Sequence, residues 1–249
     1  MTLFDYNELI LSKKEMESVH ISQEGFMKKL YFFFFVLFIF QEVSAQNFTS
    51  IASGNWDANT GGLLYTTWNE NGIAATRMPG SNTGDYVTID AAHTVIIDVT
   101  PANALTSITV NGILRFGAAG TGRTLTTTGS SGSVTIGSGG TIDVYADGGV
   151  NTTHTMSISG SIINNGTFDC APAVNRYINV TFTISGGSQS VSGTPTSMKF
   201  NNITLSGAAN VDRLDISLAY TLNGLVTINT GTFKHSRSVS ENIVFSNSQ

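Results

Sequence analysis

Three aspartates form the grouping with the clearest chemical potential in this 249-residue sequence. Asp143 and Asp169 each directly follow an apolar residue of an alternating strand pattern, and they are 26 residues apart. If that distance is one turn of a repeating structure, the two carboxylates lie side by side on one face. Such a pair would bind a hard cation such as Ca²⁺, with Asp147 as a further ligand. The alternative is that the two turns are offset and both acids simply face solvent.

Two tryptophans, Trp56 and Trp68, are the second candidate site. Exposed, they could stack on the sugar rings of a glycan, whereas buried they would pack one end of the domain. His93 has no second His or Cys at metal-ligand spacing, so a structural role is predicted for it. Cys170 is the only cysteine, which excludes an intrachain disulfide and predicts a small buried side chain.

No local grouping of acid and base stands out, so no catalytic residue is assigned. A glycosidase needs two carboxylates about 5 to 10 Å apart, and a lyase needs a positioned base. The acids and arginines of this chain are instead scattered along it. The favoured interpretation is therefore a non-enzymatic structural or adhesin-type protein. A polysaccharide-active enzyme, or its accessory module, on the same scaffold is the alternative.

The composition limits the classes of partner. Charged residues make up 12% of the sequence, about half the usual share, and the net charge is −5. Without a cluster of Lys and Arg, the electrostatic signature of nucleic-acid binding is missing. Stacked strands would account for the low charge, because a charged residue recurring at one position would lie about 4.8 Å from its like.

A repeat of alternating apolar and small polar residues extends from residue 105 onward and predicts strands buried on one face. Its anchors recur every 22 to 26 residues: Ile108, Val134, Ile158, Val180, Ile203 and Leu225. This period, with no helical pattern, predicts an all-β chain whose residues 105–249 form the coils of a parallel β-helix, a solenoid.

The alternative fold is a β-sandwich of antiparallel hairpins. Asn-Gly pairs at 111–112, 165–166 and 223–224 are typical of hairpin turns. In a solenoid, the same pairs would mark corners where the backbone adopts positive φ.

An export signal is predicted at residues 27–45. Two lysines precede an apolar run over 30–40, and small residues then end at Ala45, where cleavage is expected. The protein is therefore predicted to be secreted or on the cell surface. Eleven apolar residues rise only about 16 Å, too short to cross a bilayer of about 30 Å, so no transmembrane segment is expected after cleavage.

The remaining boundaries follow from this signal. Residues 1–26 carry mixed charges unlike the start of a signal peptide, so they are interpreted as an upstream extension from a mis-assigned gene start. Residues 46–104, which contain both tryptophans, are predicted to form an N-terminal cap. Solenoid ends need such a cap because they expose apolar edges.

The order Trp56, Trp68, Pro79, "GDYVTID" and "HTVIID" resembles the start of the eight-glycine extracellular domain and related openings of large bacterial surface proteins. In those proteins the opening leads into a right-handed β-helix. "FNNITLSG" and "LNGLVTINTGTF" are similar to repeats of secreted bacterial proteins exported by the type IX route, which end in a sorting domain. No such domain follows Gln249, which suggests a truncated chain. The resemblance implies surface display, adhesion or glycan contact.

Overall fold

The computed structural model describes residues 45–59, 64–117, 120–129, 132–145 and 151–236, together with Lys28. The chain divides into two compact units, residues 1–43 and 44–249, and every described strand belongs to the second. The predicted upstream extension and almost all of the predicted signal peptide lie outside the described residues. Within the described part, no helix is long and apolar enough to span a membrane.

The described strands form three sheets. Sheet A contains β1 (Asn47–Ser50), β3 (Trp68–Glu70), β4 (Ile73–Ala74), β5 (Tyr86–Ile89), β7 (Ser107–Val110), β10 (Val134–Ile136), β13 (Ile162–Asn164), β16 (Ser188–Ser192), β19 (Arg213–Ile216) and β22 (Thr232–His235). Sheet B contains β2 (Gly54–Asn55), β6 (Thr94–Ile97), β8 (Ile113–Phe116), β11 (Thr141–Val144), β14 (Thr167–Asp169), β17 (Ser197–Phe200) and β20 (Thr221–Leu222). Sheet C contains β9 (Thr124–Thr126), β12 (Thr152–Ile158), β15 (Arg176–Ile184), β18 (Ile203–Gly207) and β21 (Val226–Thr230).

From β7 onward the chain visits the sheets in a fixed order, A then B then C, and each turn stacks on the one before it. β7, β8 and β9 form one such coil, and β10, β11 and β12 form the next. The pairing between coils is parallel in all three sheets, as in β12, β15, β18 and β21 of sheet C. This confirms the predicted parallel β-helix. It excludes the sandwich, in which neighbouring strands would be antiparallel.

Apolar side chains stack inside the coils in registered columns. In sheet B, Leu114, Ile142, Phe168 and Met198 follow one another in register, and all four are buried. Each buried side chain of this size stabilises the fold by about 1.5–3 kcal/mol. A single coil could not bury such a column, so the stability of each turn depends on its neighbours.

The observed repeat is less uniform than the predicted one. Successive in-register residues of sheet A are 25 to 29 positions apart between Ile108 and Ile216. In sheet C they are 23 or 24 apart between Met156 and Val226. The predicted anchors therefore do not all lie in one sheet. Ile108 and Val134 belong to sheet A, whereas Ile158, Val180 and Ile203 belong to sheet C. The last one, Leu225, is 61% exposed, because its neighbour Val226 occupies the in-register position.

The stack begins earlier than the predicted boundary at residue 105. β1, β2, β5 and β6 all lie within 46–104, yet they pair in parallel with later strands of sheets A and B. Two strands in this segment, β3 and β4, depart from the pattern and pair antiparallel at the end of sheet A. Within the described residues, the atypical terminal unit is therefore this short antiparallel pair rather than the whole of 46–104.

The Asn-Gly pairs lie at corners, but their glycines serve a different purpose from the one predicted. Positive φ occurs elsewhere, for example at Asn71 and Asn175, and not at these three pairs. A Cβ on Gly112 would lie 2.2 Å from the carbonyl oxygen of Asp90, and one on Gly166 would lie 2.3 Å from that of Gly140. Glycine is needed here because the corner of one coil rests on the backbone of the previous coil.

Replacing Gly140 with Ala tests this constraint, because the added Cβ would lie 2.0 Å from the carbonyl oxygen of Val110. We expect Gly140→Ala to lower the free energy of unfolding by about 1–3 kcal/mol in urea denaturation. Gly139→Ala is the matched control, because its nearest contact would be an oxygen 3.9 Å away. Equal effects of the two substitutions would contradict the close approach of the coils.

Candidate functional site

The two predicted carboxylates do lie on neighbouring rungs of sheet B. Ile142 pairs with Phe168, so the residues that follow them, Asp143 and Asp169, are placed side by side. Both point away from the core, because the residues before them are buried. The 26-residue spacing thus predicted this juxtaposition correctly.

Each acid is, however, paired with a cation from the coil on its far side. Arg115 donates to both carboxylate oxygens of Asp143, at 2.7 and 2.6 Å. The ammonium of Lys199 lies 3.8 Å from Asp169 Oδ1, which also accepts the backbone N–H of Ala171 at 3.0 Å. The outward column therefore has the order cation, anion, anion, cation, and its charges balance.

This arrangement bears on the predicted Ca²⁺ site. Calcium takes six to eight oxygen ligands, and at Asp143 it would meet a carboxylate whose two oxygens already accept from the positively charged Arg115. The third proposed ligand, Asp147, lies outside the described residues. Among the residues that are described, no group of three His, Cys, Asp or Glu side chains is close enough to hold a metal ion. The calcium site stays a prediction.

Both tryptophans are fully buried, so neither ring presents a face to a sugar. The rings pack edge to face with centroids 5.0 Å apart. Trp56 Nε1 donates to the carbonyl oxygen of Pro79 at 3.0 Å, and Trp68 Nε1 donates to that of Trp56 at 2.9 Å. Their role in the described structure is to pack the first coil, which is the second of the two interpretations of the sequence.

The surroundings of His93 and Cys170, the other two residues considered in the sequence, indicate structural roles. The His93 Nδ1 is 2.9 Å from the hydroxyl of Ser50, on the neighbouring rung. Cys170 is buried, and burial raises the pKa of its thiol well above the usual value. A thiol held in the neutral form is a poor nucleophile.

A buried ion pair near the start of the stack is absent from the sequence-based predictions. Arg77 donates to both oxygens of Asp85, at 2.6 and 2.8 Å, and also to Glu70 at 3.0 Å. Asp85 is fully buried and accepts the backbone N–H of Gly80 at 2.9 Å. The guanidinium also lies 4.6 Å from the centre of the Phe48 ring. The Gly-Asp pair before β5 was the available sequence signal. Because these groups satisfy one another, the cluster is structural.

The outward face of sheet C carries the most regular polar array in the described structure. The register places five hydroxyl groups in one column across five strands: Thr126, Ser157, Thr181, Thr204 and Thr227. Neighbouring rungs are about 4.8 Å apart. A parallel column contains Thr124, Thr155 and Asn179, and the half-buried ring of Tyr177 lies beside Thr153 on the same face.

A turn at the edge of this face is held from the next coil. Asp212 Oδ1 accepts the backbone N–H groups of Gly186 and Gly187 at 3.1 and 2.9 Å, and Oδ2 accepts that of Ala209 at 2.8 Å. These donors, above all the N–H of Gly187, lower the pKa of Asp212. The ionised carboxylate therefore fixes the turn that follows β15.

Comparison with protein-family models, with curated proteins and with solved structures finds no match to this chain. The resemblance to bacterial surface proteins therefore stays a prediction.

The outward column of Arg115, Asp143, Asp169 and Lys199 predicts that replacing its two cations has unequal effects on the free energy of unfolding. Arg115→Met removes two short hydrogen bonds from a largely buried carboxylate, and it should lower the free energy of unfolding by about 1 kcal/mol. Lys199→Met removes a contact of 3.8 Å with Asp169 and a hydrogen bond to the carbonyl oxygen of Ala171, but no short hydrogen bond between opposite charges, and should cost less. Urea denaturation at low and high salt measures both. A larger loss for Lys199→Met would contradict the assigned pairing.

The lowered pKa of Asp212 predicts that the stability of the protein depends on pH. Because its pKa is lower in the folded than in the unfolded chain, the ionised side chain stabilises the fold above the unfolded-state value, and this contribution is lost as the pH falls through the folded-state value. The wild-type protein should therefore be more stable than Asp212→Asn at pH 7, and the gap should narrow below about pH 4. Denaturation curves at several pH values check this. A gap that does not change with pH would contradict it.

Proposed function

We propose that this chain is a secreted or cell-surface, non-enzymatic β-helix that presents the outward face of sheet C to glycans. The observation that carries the proposal is the column of five hydroxyl groups in register on that face. Hydroxyl groups both donate and accept hydrogen bonds, as the hydroxyl groups of a sugar do.

The dimensions and chemistry of the face support an extended polysaccharide. Two rungs span about 9.6 Å, which is close to the length of a disaccharide unit in an extended β-linked chain, so alternate hydroxyls would meet equivalent sugars. The ring of Tyr177 lies on the same face and supplies an apolar surface of the kind that packs against a pyranose. It is a better placed aromatic than Trp56 or Trp68, whose rings are buried.

Secretion is supported by the sequence alone. The pattern at residues 27–45 is typical of an export signal, and the resemblance to bacterial surface proteins agrees with display outside the cell. The low surface charge also favours a neutral partner over a nucleic acid or a charged protein.

A polysaccharide-active enzyme is the alternative. The adjacent carboxylates Asp143 and Asp169 favour it, because two acids are the usual equipment of a glycosidase. Against this assignment, Arg115 occupies both oxygens of Asp143. A carboxylate used as a nucleophile or general base needs a free oxygen towards the substrate.

The test is binding to a polysaccharide array by the secreted protein. The double variant Thr181→Val and Thr204→Val removes two hydroxyl groups from the central column at nearly constant volume, and should weaken binding roughly ten- to thirtyfold. Thr109→Val with Thr135→Val is the matched control, because these two threonines pair in register on sheet A. A reducing-sugar assay on the same polysaccharides should show no release. Equal binding by both double variants, or turnover of a polysaccharide, would contradict the proposal.

A further inference from the structure

Two asparagines, Asn179 and Asn202, lie next to each other on the outward face of sheet C. Asn179 belongs to β15 and has a buried residue on either side. Asn202 directly precedes Ile203, which is in register with Val180. The backbone N–H of Val180 donates to the carbonyl oxygen of Asn202 at 2.9 Å. The two asparagines therefore occupy equivalent positions on neighbouring rungs, and both are half-buried.

The oxygen of each side-chain amide accepts a hydrogen bond within the protein. Asn202 Oδ1 accepts the backbone N–H of Leu225 at 2.8 Å, and this contact fixes the orientation of the amide because a backbone N–H can only donate. Asn179 Oδ1 accepts from Asn201 Nδ2 at 2.8 Å, and Asn201 Oδ1 accepts from Asn223 Nδ2 at 3.0 Å. Both asparagines thus direct their oxygen towards the following coil.

The nitrogens of the same two amides are accessible donors. Within the described part of the chain, neither Asn179 Nδ2 nor Asn202 Nδ2 donates a hydrogen bond. The buried polar atoms that lack a partner there belong to other residues, so both nitrogens are open to solvent. Each NH₂ group carries two N–H donors. This part of the face therefore offers donors alone, unlike the hydroxyl column beside it.

An exposed leucine follows the two amides in the same column. Leu225 directly precedes Val226, which is in register with Ile203, so it lies one rung beyond Asn202. Its side chain is 61% exposed. The column thus continues from two amide donors to an apolar surface about 4.8 Å further on.

We propose that Asn179, Asn202 and Leu225 bind the acetamido group of an N-acetylated sugar. Equivalent atoms of the two amides are about 4.8 Å apart. A carbonyl oxygen about 2.9 Å from both nitrogens would receive them at an angle of about 110°, which suits its two lone pairs. The methyl group attached to that carbonyl would then contact Leu225.

Other substituents of a sugar fit these three residues less well. A hydroxyl group also needs an acceptor for its own O–H, and the two NH₂ groups offer none. A carboxylate or sulfate would bring a negative charge next to a leucine, with no Lys or Arg in the column to balance it. An acetamido group is neutral and combines an acceptor with a methyl group.

This site rests on the proposed function and deepens it, because it names the class of glycan that the face selects. Asn179 stands two residues before Thr181, and Asn202 stands two residues before Thr204. Along an extended strand this separation is about 6.6 Å. A sugar ring on the hydroxyl column would therefore reach the amides with a substituent.

The experiment compares the β-1,4-linked hexamer of N-acetylglucosamine with cellohexaose, which has a hydroxyl in place of each acetamido group. Calorimetric titration of the wild type should give a Kd about tenfold lower for the N-acetylated hexamer. Asn202→Asp keeps the acceptor for the Leu225 N–H but removes the donor, and it should bring the ratio of the two Kd values close to one. Asn179→Asp should do the same. Asn229→Asp adds the same charge at an exposed position of β21 and, as the matched control, should leave the ratio unchanged.

Leu225→Ser is a further variant that leaves the core intact, because the side chain is exposed. Loss of the methyl contact should reduce the ratio about threefold. The ratio is the decisive readout, since a merely structural disturbance of the face would weaken the binding of both hexamers alike.

The outcomes separate the acetamido site from the proposed function. Equal or absent binding of the two hexamers by the wild type, or a preference that survives both Asn179→Asp and Asn202→Asp, would overturn the acetamido site. Tighter binding of hexagalacturonate, titrated as an acidic probe, would also overturn it. If Thr181→Val with Thr204→Val weakens both hexamers while the asparagine variants change nothing, the face stands and the acetamido site falls. If the asparagine variants remove the preference and the threonine variant has no effect, the acetamido site stands and the hydroxyl column falls.

Discussion

In-register parallel stacking is the constraint on which the rest of this structure depends. Each coil hydrogen-bonds to the one before it along three sheets, so whatever stands at one position in a rung meets its counterpart about 4.8 Å away. Inside, this turns single apolar residues into continuous columns that no isolated coil could bury. At the corners, it brings the backbone of one coil against the next so closely that Gly112 and Gly166 have no room for a side chain.

The same constraint decides which polar residues the outer faces tolerate. Like charges opposite each other on neighbouring strands are destabilising, while hydroxyl groups can serve each other as donor and acceptor. Where like charges do meet, as Asp143 and Asp169 do, each is paired with an opposite charge on its other side, Arg115 beside Asp143 and Lys199 beside Asp169. Lys234 similarly lies 3.6 Å from Asp215 on the next strand. The low charge of the sequence is therefore a consequence of the fold.

Features that depend on the period of the repeat could be predicted from the sequence. Features that depend on the lengths of the turns could not. Alternation predicted the strands, and the 26-residue distance predicted the juxtaposition of Asp143 and Asp169. The period could not predict the register across all coils, because turns of different length separate the strands. The predicted anchors Ile158 and Leu225 are therefore out of register with the anchors next to them. The sequence also does not show whether a corner glycine is needed for positive φ or for the close approach of two backbones. The buried amide of Gln189 could not be predicted either, because it takes an inward position that the alternating pattern assigns to an apolar residue.

The hydroxyl column of sheet C is a direct product of the repeat. A face of uniform hydroxyls is what stacking produces by default, and its regularity suits a ligand that is itself a repeating polymer. Gln189 departs from this regularity, because its buried amide takes an inward position of β16 where the neighbouring rung has an apolar residue. Leu214 occupies the registered position on the following rung and is buried in the core. The amide of Gln189 instead donates to the carbonyl oxygens of Thr183 and Ser159, so it ties the start of β16 to the backbone of the corner before it and of the previous coil.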